Sequence, residues 1–140
     1  MKNRSSRMTV ITSLVVIVAT SFHGRSAAAA PNKERDMVVE YIRYEVPAPR
    51  HDEFLAAYKA AAKELEASAH CVGYEVSEGV EEPNNFTVRI EWDSVEGHEK
   101  GFRGSPQFGS FFAKVKPFFS EIREMKHYRV AARGKGSAPK

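Results

Sequence analysis

Phe86–Phe112 reads FTVRIEWDSVEGHEKGFRGSPQFGSFF, and the fold turns on how this stretch is read. Phe86, Val88, Ile90 and Trp92 recur at every second position, so they share one face of a strand, while Thr87, Arg89 and Glu91 project from the other. Trp92 is the only tryptophan of the chain. Asp93 stands three residues before Glu96, the spacing of a capping box, which predicts a helix starting directly after Trp92. Gly104, Ser105 and Pro106 then break that helix and start another, since serine caps well and proline is tolerated at the first helical position. This arrangement delivers Phe102, Phe108, Phe111 and Phe112 to the neighbourhood of Trp92.

Upstream, residues 37–46 (MVVEYIRYEV) are rich in β-branched and aromatic residues and are stopped by Pro47 and Pro49, a first strand. Its faces are Val38, Glu40, Ile42, Tyr44 and Val46 against Val39, Tyr41, Arg43 and Glu45, so each carries a polar feature. Residues 52–67 combine strong helix formers, an acidic start and apolar residues at helical spacing. Residues 71–79 alternate Val72, Tyr74 and Val76 against Cys71, Gly73, Glu75 and Ser77, a second strand, and a polar turn at 81–85 leads into the strand ending at Trp92. Residues 125–130 alternate again, a fourth strand. The order β-α-β-β-α-β predicts an α+β domain of ferredoxin-like plan, a four-stranded antiparallel sheet with helices on one face. The bare face carries tyrosines and aliphatics as well as charges, so a homodimer packed sheet on sheet is expected.

Residues 1–30 place Lys2, Arg4 and Arg7 before an apolar run from Met8 to Ala19 and small residues Ala27 to Ala30, the order of a secretory signal peptide, with a retained N-terminal anchor as the alternative. The expected organisation is a leader at 1–30, a linker at 31–36, a domain at 37–130 and a disordered basic tail at 131–140. The expected location is periplasmic or secreted, with no membrane association once the leader is removed. The leader holds four of the 21 basic residues and no acids, leaving 17 basic against 18 acidic residues. The basic isoelectric point therefore gives no argument for a nucleic-acid partner. Cys71 is alone, so no internal disulfide forms; it is read as a small buried residue, with an intermolecular disulfide or a reactive thiol as alternatives.

No metal-ligand spacing, glycine-rich phosphate loop, nucleophile elbow or paired-cysteine motif occurs. Aromatic density with a few polar groups suits a cavity for a planar organic ligand. Trp92 is read either as the wall of that cavity or as a plain core residue. His98 is read either as a proton acceptor, its ordinary pKa lying near neutrality, or as an exposed helix-surface histidine. His70 is a second candidate base, with capping or a loop contact as its plainer role. Arg43, Arg89 and Glu91 either line a polar cavity or form cross-strand ion pairs at the dimer interface.

The segments VVEYIRYEV (38–46), HCVGYEVSEGVEEP (70–83) and above all RIEWDSVEGHEKGFRGSPQFGSFF (89–112) resemble the antibiotic biosynthesis monooxygenase domain family over about 37–130. The resemblance implies a ferredoxin-like fold dimerised into an α/β barrel, with a pocket between helices and sheet in each subunit. It implies oxidation of quinols, polyketide phenols or haem by O2, in many members without metal or flavin. Trp92 matches the pocket tryptophan of the haem-degrading branch, but Glu40, Tyr41 and Arg43 stand where that branch has a first-strand asparagine, and its helical haem ligand has no clear counterpart. The expected function is a cofactor-independent monooxygenase acting on a small quinol or phenol, with no metal or other cofactor. Trp92, His98 and His70 are its expected catalytic residues, and Tyr41, Arg43, Tyr58, Phe102, Phe108 and Phe112 the expected substrate contacts. A haem-binding or haem-degrading protein and a non-catalytic dimeric binding module are the alternatives.

Overall fold

The computed structural model describes residues 36–137, so the expected leader and nearly all of the linker lie outside the described residues. Four strands form one antiparallel sheet in the order β2-β3-β1-β4. The central strand β1 (Val38–Glu45) pairs with β3 (Asn85–Trp92) on one side and β4 (Ile122–Tyr128) on the other, and β2 (Cys71–Glu78) closes the β3 edge. Helix α1 (His51–Glu66) connects β1 to β2. A π-helical turn (Gly97–Phe102), helix α2 (Pro106–Val115) and a 3-10 turn (Lys116–Glu121) connect β3 to β4. This is the α+β, ferredoxin-like arrangement that the strand and helix periodicities predict.

Register sorts the sheet into two faces, because residues directly opposite in an antiparallel pair point the same way. Glu40 faces Ile90 and His127, and Ile42 faces Val88 and Met125, so all of these belong to the helix-covered face. Tyr41, Arg43, Arg89, Lys126 and Glu124 belong to the other. The core lies under the helices, where Phe54, Tyr58, Ala61 and Leu65 of α1 and Phe111 and Val115 of α2 meet the inward residues of β1 and β3.

Several local readings shift. β4 begins at Ile122, not Met125, because the chain leaves the 3-10 turn directly into pairing with Tyr44. A bulge between Cys71 and Gly73 moves Cys71 to the face of Trp92, which it pairs with, and leaves Val72 54% exposed. Ser94, not Asp93, caps the turn after β3: its Oγ accepts the Gly97 N–H at 2.9 Å. Ser105 has the extended backbone of an N-cap, with Pro106 following, but its hydroxyl donates back to the Phe102 carbonyl at 2.6 Å instead of capping. Residues 131–137 have no regular secondary structure and are exposed. No helix among the described residues is long and apolar enough to cross a membrane.

Asp93 has another partner. Its carboxylate lies 2.9 Å from His70 Nδ1, joining the start of β2 to the end of β3. The His70 ring also fills space that only glycine leaves open on the π-turn: a Cβ on Gly101 would sit 2.3 Å from His70 Cδ2 and Nε2. Gly101→Ala is therefore expected to displace the ring and cost about 1 kcal/mol or more, the lost hydrogen bond and packing outweighing alanine's better helix propensity. A double-mutant cycle by chemical unfolding checks this: in a His70→Ala background the same substitution becomes neutral or stabilising.

Candidate active site

Between the sheet and the second-half helices lies a cavity of about 250 Å³. Its walls are mainly aromatic: Trp92 and Tyr44 on strands, Tyr58 on α1, and Phe102, Phe108, Phe111 and Phe112 on the π-turn and α2. Local sequence explains the supply. The i, i+3 and i+4 spacing of Phe108, Phe111 and Phe112 puts them on one side of α2. Phe102 packs against the Trp92, Phe108 and Phe111 rings at centroid distances of 5.0, 5.8 and 5.6 Å. At the other extreme of the cavity Phe119 and Met125, 53% and 39% exposed, form the rim.

The inner end is polar. Glu40, on the apolar face of β1, is only 3% exposed, and His98, on the first residues of the π-turn, is 5% exposed. The Trp92 Nε1–H donates to Glu40 Oε2 at 3.1 Å, and the same oxygen lies 3.6 Å from His98 Nε2. The Trp92 and His98 rings stack at 4.3 Å with 13° between their planes, so the indole fixes both the carboxyl and the imidazole. On its other edge His98 Nδ1 lies 2.7 Å from Nε2 of half-buried His127, a separation at which one nitrogen donates a proton to the other. Arg103 completes the polar lining.

Burial dominates the electrostatics. It raises the Glu40 carboxyl above its ordinary value, against the lowering effects of the Trp92 hydrogen bond, His127 and Arg103. It also lowers His98 to about 4, with neighbouring His127 and Arg103 acting in the same direction. The Glu40–His98 contact has the spacing of an ion pair, yet burial disfavours the charged form of both groups, and the imidazole is neutral at neutral pH.

A second polar contact crosses the cavity wall. The Tyr44 and Tyr58 hydroxyls are hydrogen-bonded at 2.6 Å. Burial pushes Tyr44 up from 10.0 to about 12 and Tyr58 well above its ordinary value, neighbouring Glu40 adding to both. A phenol whose folded-state pKa is raised stabilises the protein fully below its unfolded value and loses that contribution as pH rises through the folded value. Tyr44 alone accounts for about 3 kcal/mol over that interval. Urea unfolding is expected to show stability falling steeply between about pH 10 and 12, and the Tyr44→Phe/Tyr58→Phe double variant should flatten that fall.

Of the residues singled out in the sequence, Trp92, His98, Tyr58, Phe102, Phe108 and Phe112 line this cavity. Tyr41 and Arg43 do not. They alternate with Glu40 and Ile42, and so open onto the far side of the sheet, where with Glu124 and Tyr128 they border a shallow groove. Arg43 lies 3.8 Å from Glu124, the cross-strand ion pair foreseen as the alternative for it. His70 is likewise outside the cavity, engaged with Asp93 and the π-turn glycines. Glu40, Arg103 and His127 are cavity or cluster residues that sequence reading did not single out. Only Glu40 left a signal, as an acid on a strand face otherwise made of Val38, Ile42, Tyr44 and Val46.

The antibiotic biosynthesis monooxygenase family model matches residues 37–114, more than half of the 140-residue chain. Uncharacterized protein YczJ of Bacillus subtilis (strain 168) is 25% identical over 93 residues, 66% of this chain and 98% of that one. A crystal structure from Bordetella bronchiseptica, provisionally described as an antibiotic biosynthesis monooxygenase, is 24% identical and covers 69% of this chain and 99% of its own, with a TM-score of 0.62. SnoaB, a cofactor-independent oxygenase from Streptomyces nogalater, is 16% identical and covers 74% of this chain and 99% of its own, with a TM-score of 0.54. At these identities the two structures establish a shared fold.

Proposed function

The chain belongs to the antibiotic biosynthesis monooxygenase family, and on that premise we propose that it is a cofactor-independent monooxygenase oxidising a small quinol or phenol with O2. The observation that carries this reading is the aromatic cavity with one polar end. A volume of about 250 Å³ suits a substrate of one or two fused rings and is small for a tetrapyrrole. Rings of Trp92, Phe102 and Phe108 grip the substrate, and its hydroxyl meets the Glu40–His98 end, where the neutral imidazole accepts the proton. The resulting phenolate is electron-rich and reacts with O2 directly in a site that excludes bulk water. The balance closes without a reductant: one hydroquinone and one O2 give one hydroxyquinone and one water, all electrons coming from the ring.

Oxygen uptake by the purified protein against a panel of hydroquinones and phenols, with no added cofactor, tests the reading. Uptake that depends on protein and falls about 100-fold in folded His98→Gln is the expected result. No uptake with any compound would overturn it in favour of a non-catalytic binding module. A two-fold dimer over the sheet face that carries Tyr41, Arg43 and Tyr128 belongs to the same proposal, as does export by the leader; sedimentation and N-terminal sequencing of secreted material check these.

A further inference from the structure

Three residues that are far apart in sequence converge at the inner end of the cavity. Glu40 on β1, His98 on the π-turn and His127 on β4 each offer a ligand atom within 4.8 Å of the other two. We propose that Glu40, His98 and His127 form a binding site for one first-row divalent cation of the zinc, cobalt or iron(II) class, with the remaining coordination positions open to the cavity. This goes beyond the oxidation proposed above and does not depend on it.

The donor set selects the class of ion. Two imidazoles and one carboxylate suit first-row transition metals, whereas calcium and magnesium prefer all-oxygen shells. Ligands about 2.1 Å from a tetrahedral ion stand roughly 3.4 Å from one another. Each residue gives one ligand atom, and the three lie within 4.8 Å of one another. His98 commits a single nitrogen to the ion, so its present contacts, to His127 through Nδ1 and to Glu40 through Nε2, are not both kept, and side-chain rotation closes the site. The close approach of the two ring nitrogens now requires a shared proton; an ion would replace it and release it to solvent.

Support behind the ligands is already in place. The Trp92 N–H holds the Glu40 carboxyl, and the indole stacked on His98 holds its ring plane, the kind of outer contact that orients metal ligands. A buried carboxyl beside two buried or half-buried imidazoles is costly as an isolated charge. A divalent cation removes that cost. Three protein ligands with open positions toward an apolar pocket are the pattern of a reactive site, not of a closed structural one. The ion and the oxidation meet at His98: once the imidazole lone pair is coordinated it accepts no proton, so the cation is an inhibitor of the proposed turnover.

Cobalt(II) titration of untagged, chelator-treated protein tests the site, read by visible absorption and by elemental analysis after gel filtration. One ion per chain is expected, displaced by zinc(II), with affinity reduced about 100-fold in His127→Gln and about 10-fold in Trp92→Phe. His127 is half-buried, so its replacement spares the core; if the variant nevertheless fails to fold, two paramagnetically shifted imidazole resonances in the wild-type cobalt protein provide the check. Absence of cobalt absorption up to about 1 mM ion, far weaker than a three-ligand site, would overturn the proposal. So would unchanged affinity in folded His127→Gln, or shifted resonances from fewer than two histidines. None of these readouts involves O2, so stoichiometric cobalt binding by a protein that shows no oxygen uptake when metal-free would sink the oxidation reading alone.

Discussion

Trp92→Ala is expected to lower the unfolding free energy by about 4 kcal/mol and to remove oxygen uptake, because one side chain serves the core and the site together. Trp92 is fully buried, and its loss leaves a cavity beside Phe102. It also strips Glu40 of its N–H donor and His98 of its stacking surface, adding the cost of an unsatisfied buried carboxyl. Trp92→Phe separates the contributions. It retains most of the apolar volume and loses the donor, so the stability loss should shrink to about 1–3 kcal/mol while uptake remains strongly reduced. Urea unfolding of both variants beside oxygen uptake decides the matter; full uptake in folded Trp92→Phe would remove the indole hydrogen bond from the mechanism.

Phe54→Ala should destabilise by a similar amount, about 4 kcal/mol or roughly 20 °C in Tm, while leaving turnover per folded molecule unchanged. Phe54 is fully buried behind the cavity-lining Tyr44 and Tyr58, does not itself line the cavity, and packs against Tyr44, Tyr58, Phe86 and Phe118 at centroid distances of 5.0, 5.0, 4.9 and 5.2 Å. It has no part in the Glu40–His98–His127 cluster. Differential scanning calorimetry with uptake measured well below the lowered Tm checks the separation; a loss of uptake per folded molecule would show that Phe54 and the cavity act as one unit.

The fold was legible because its signals are local. Alternation in residues 86–92 and helical spacing in residues 52–67 each arise within one element, and the elements formed close to those bounds. Errors arose where a choice depended on neighbours. Asp93 and Ser94 both suit a cap, and His70, arriving from before β2, engages Asp93 and leaves the cap to Ser94. The phase of β2 fails at Val72 because a bulge is a property of the paired strand, not of the alternating sequence.

The site was half legible for the same reason. Aromatic residues announce a pocket by their density, but Glu40 shows only as an acid on an apolar strand face, and His127 acquires meaning only through His98 on the π-turn. His127 sits 29 residues from His98, and Glu40 lies 52 residues from Trp92, so no spacing motif connects them. Tyr41 and Arg43 show the converse: a polar side chain adjacent in sequence to the site is turned away from it by the two-residue period of a strand.

The position of β1 in the sheet governs the order in which the chain can be assembled. Among the described strands it is synthesised first, yet neither of its partners exists until residues 85–92 and then 122–128 have followed. Only the β2–β3 hairpin can form from neighbouring sequence, and the rest must wait for long loops to close, which makes folding slower than in a protein of local contacts. Any nascent or truncated chain that ends before Ile122 presents the β4 side of β1 as an unpaired edge, with Val38, Ile42 and Tyr44 on one face. Such an edge recruits strands from other molecules. Aggregation of C-terminal truncations, and not simple loss of a terminal strand, is the built-in hazard of this topology.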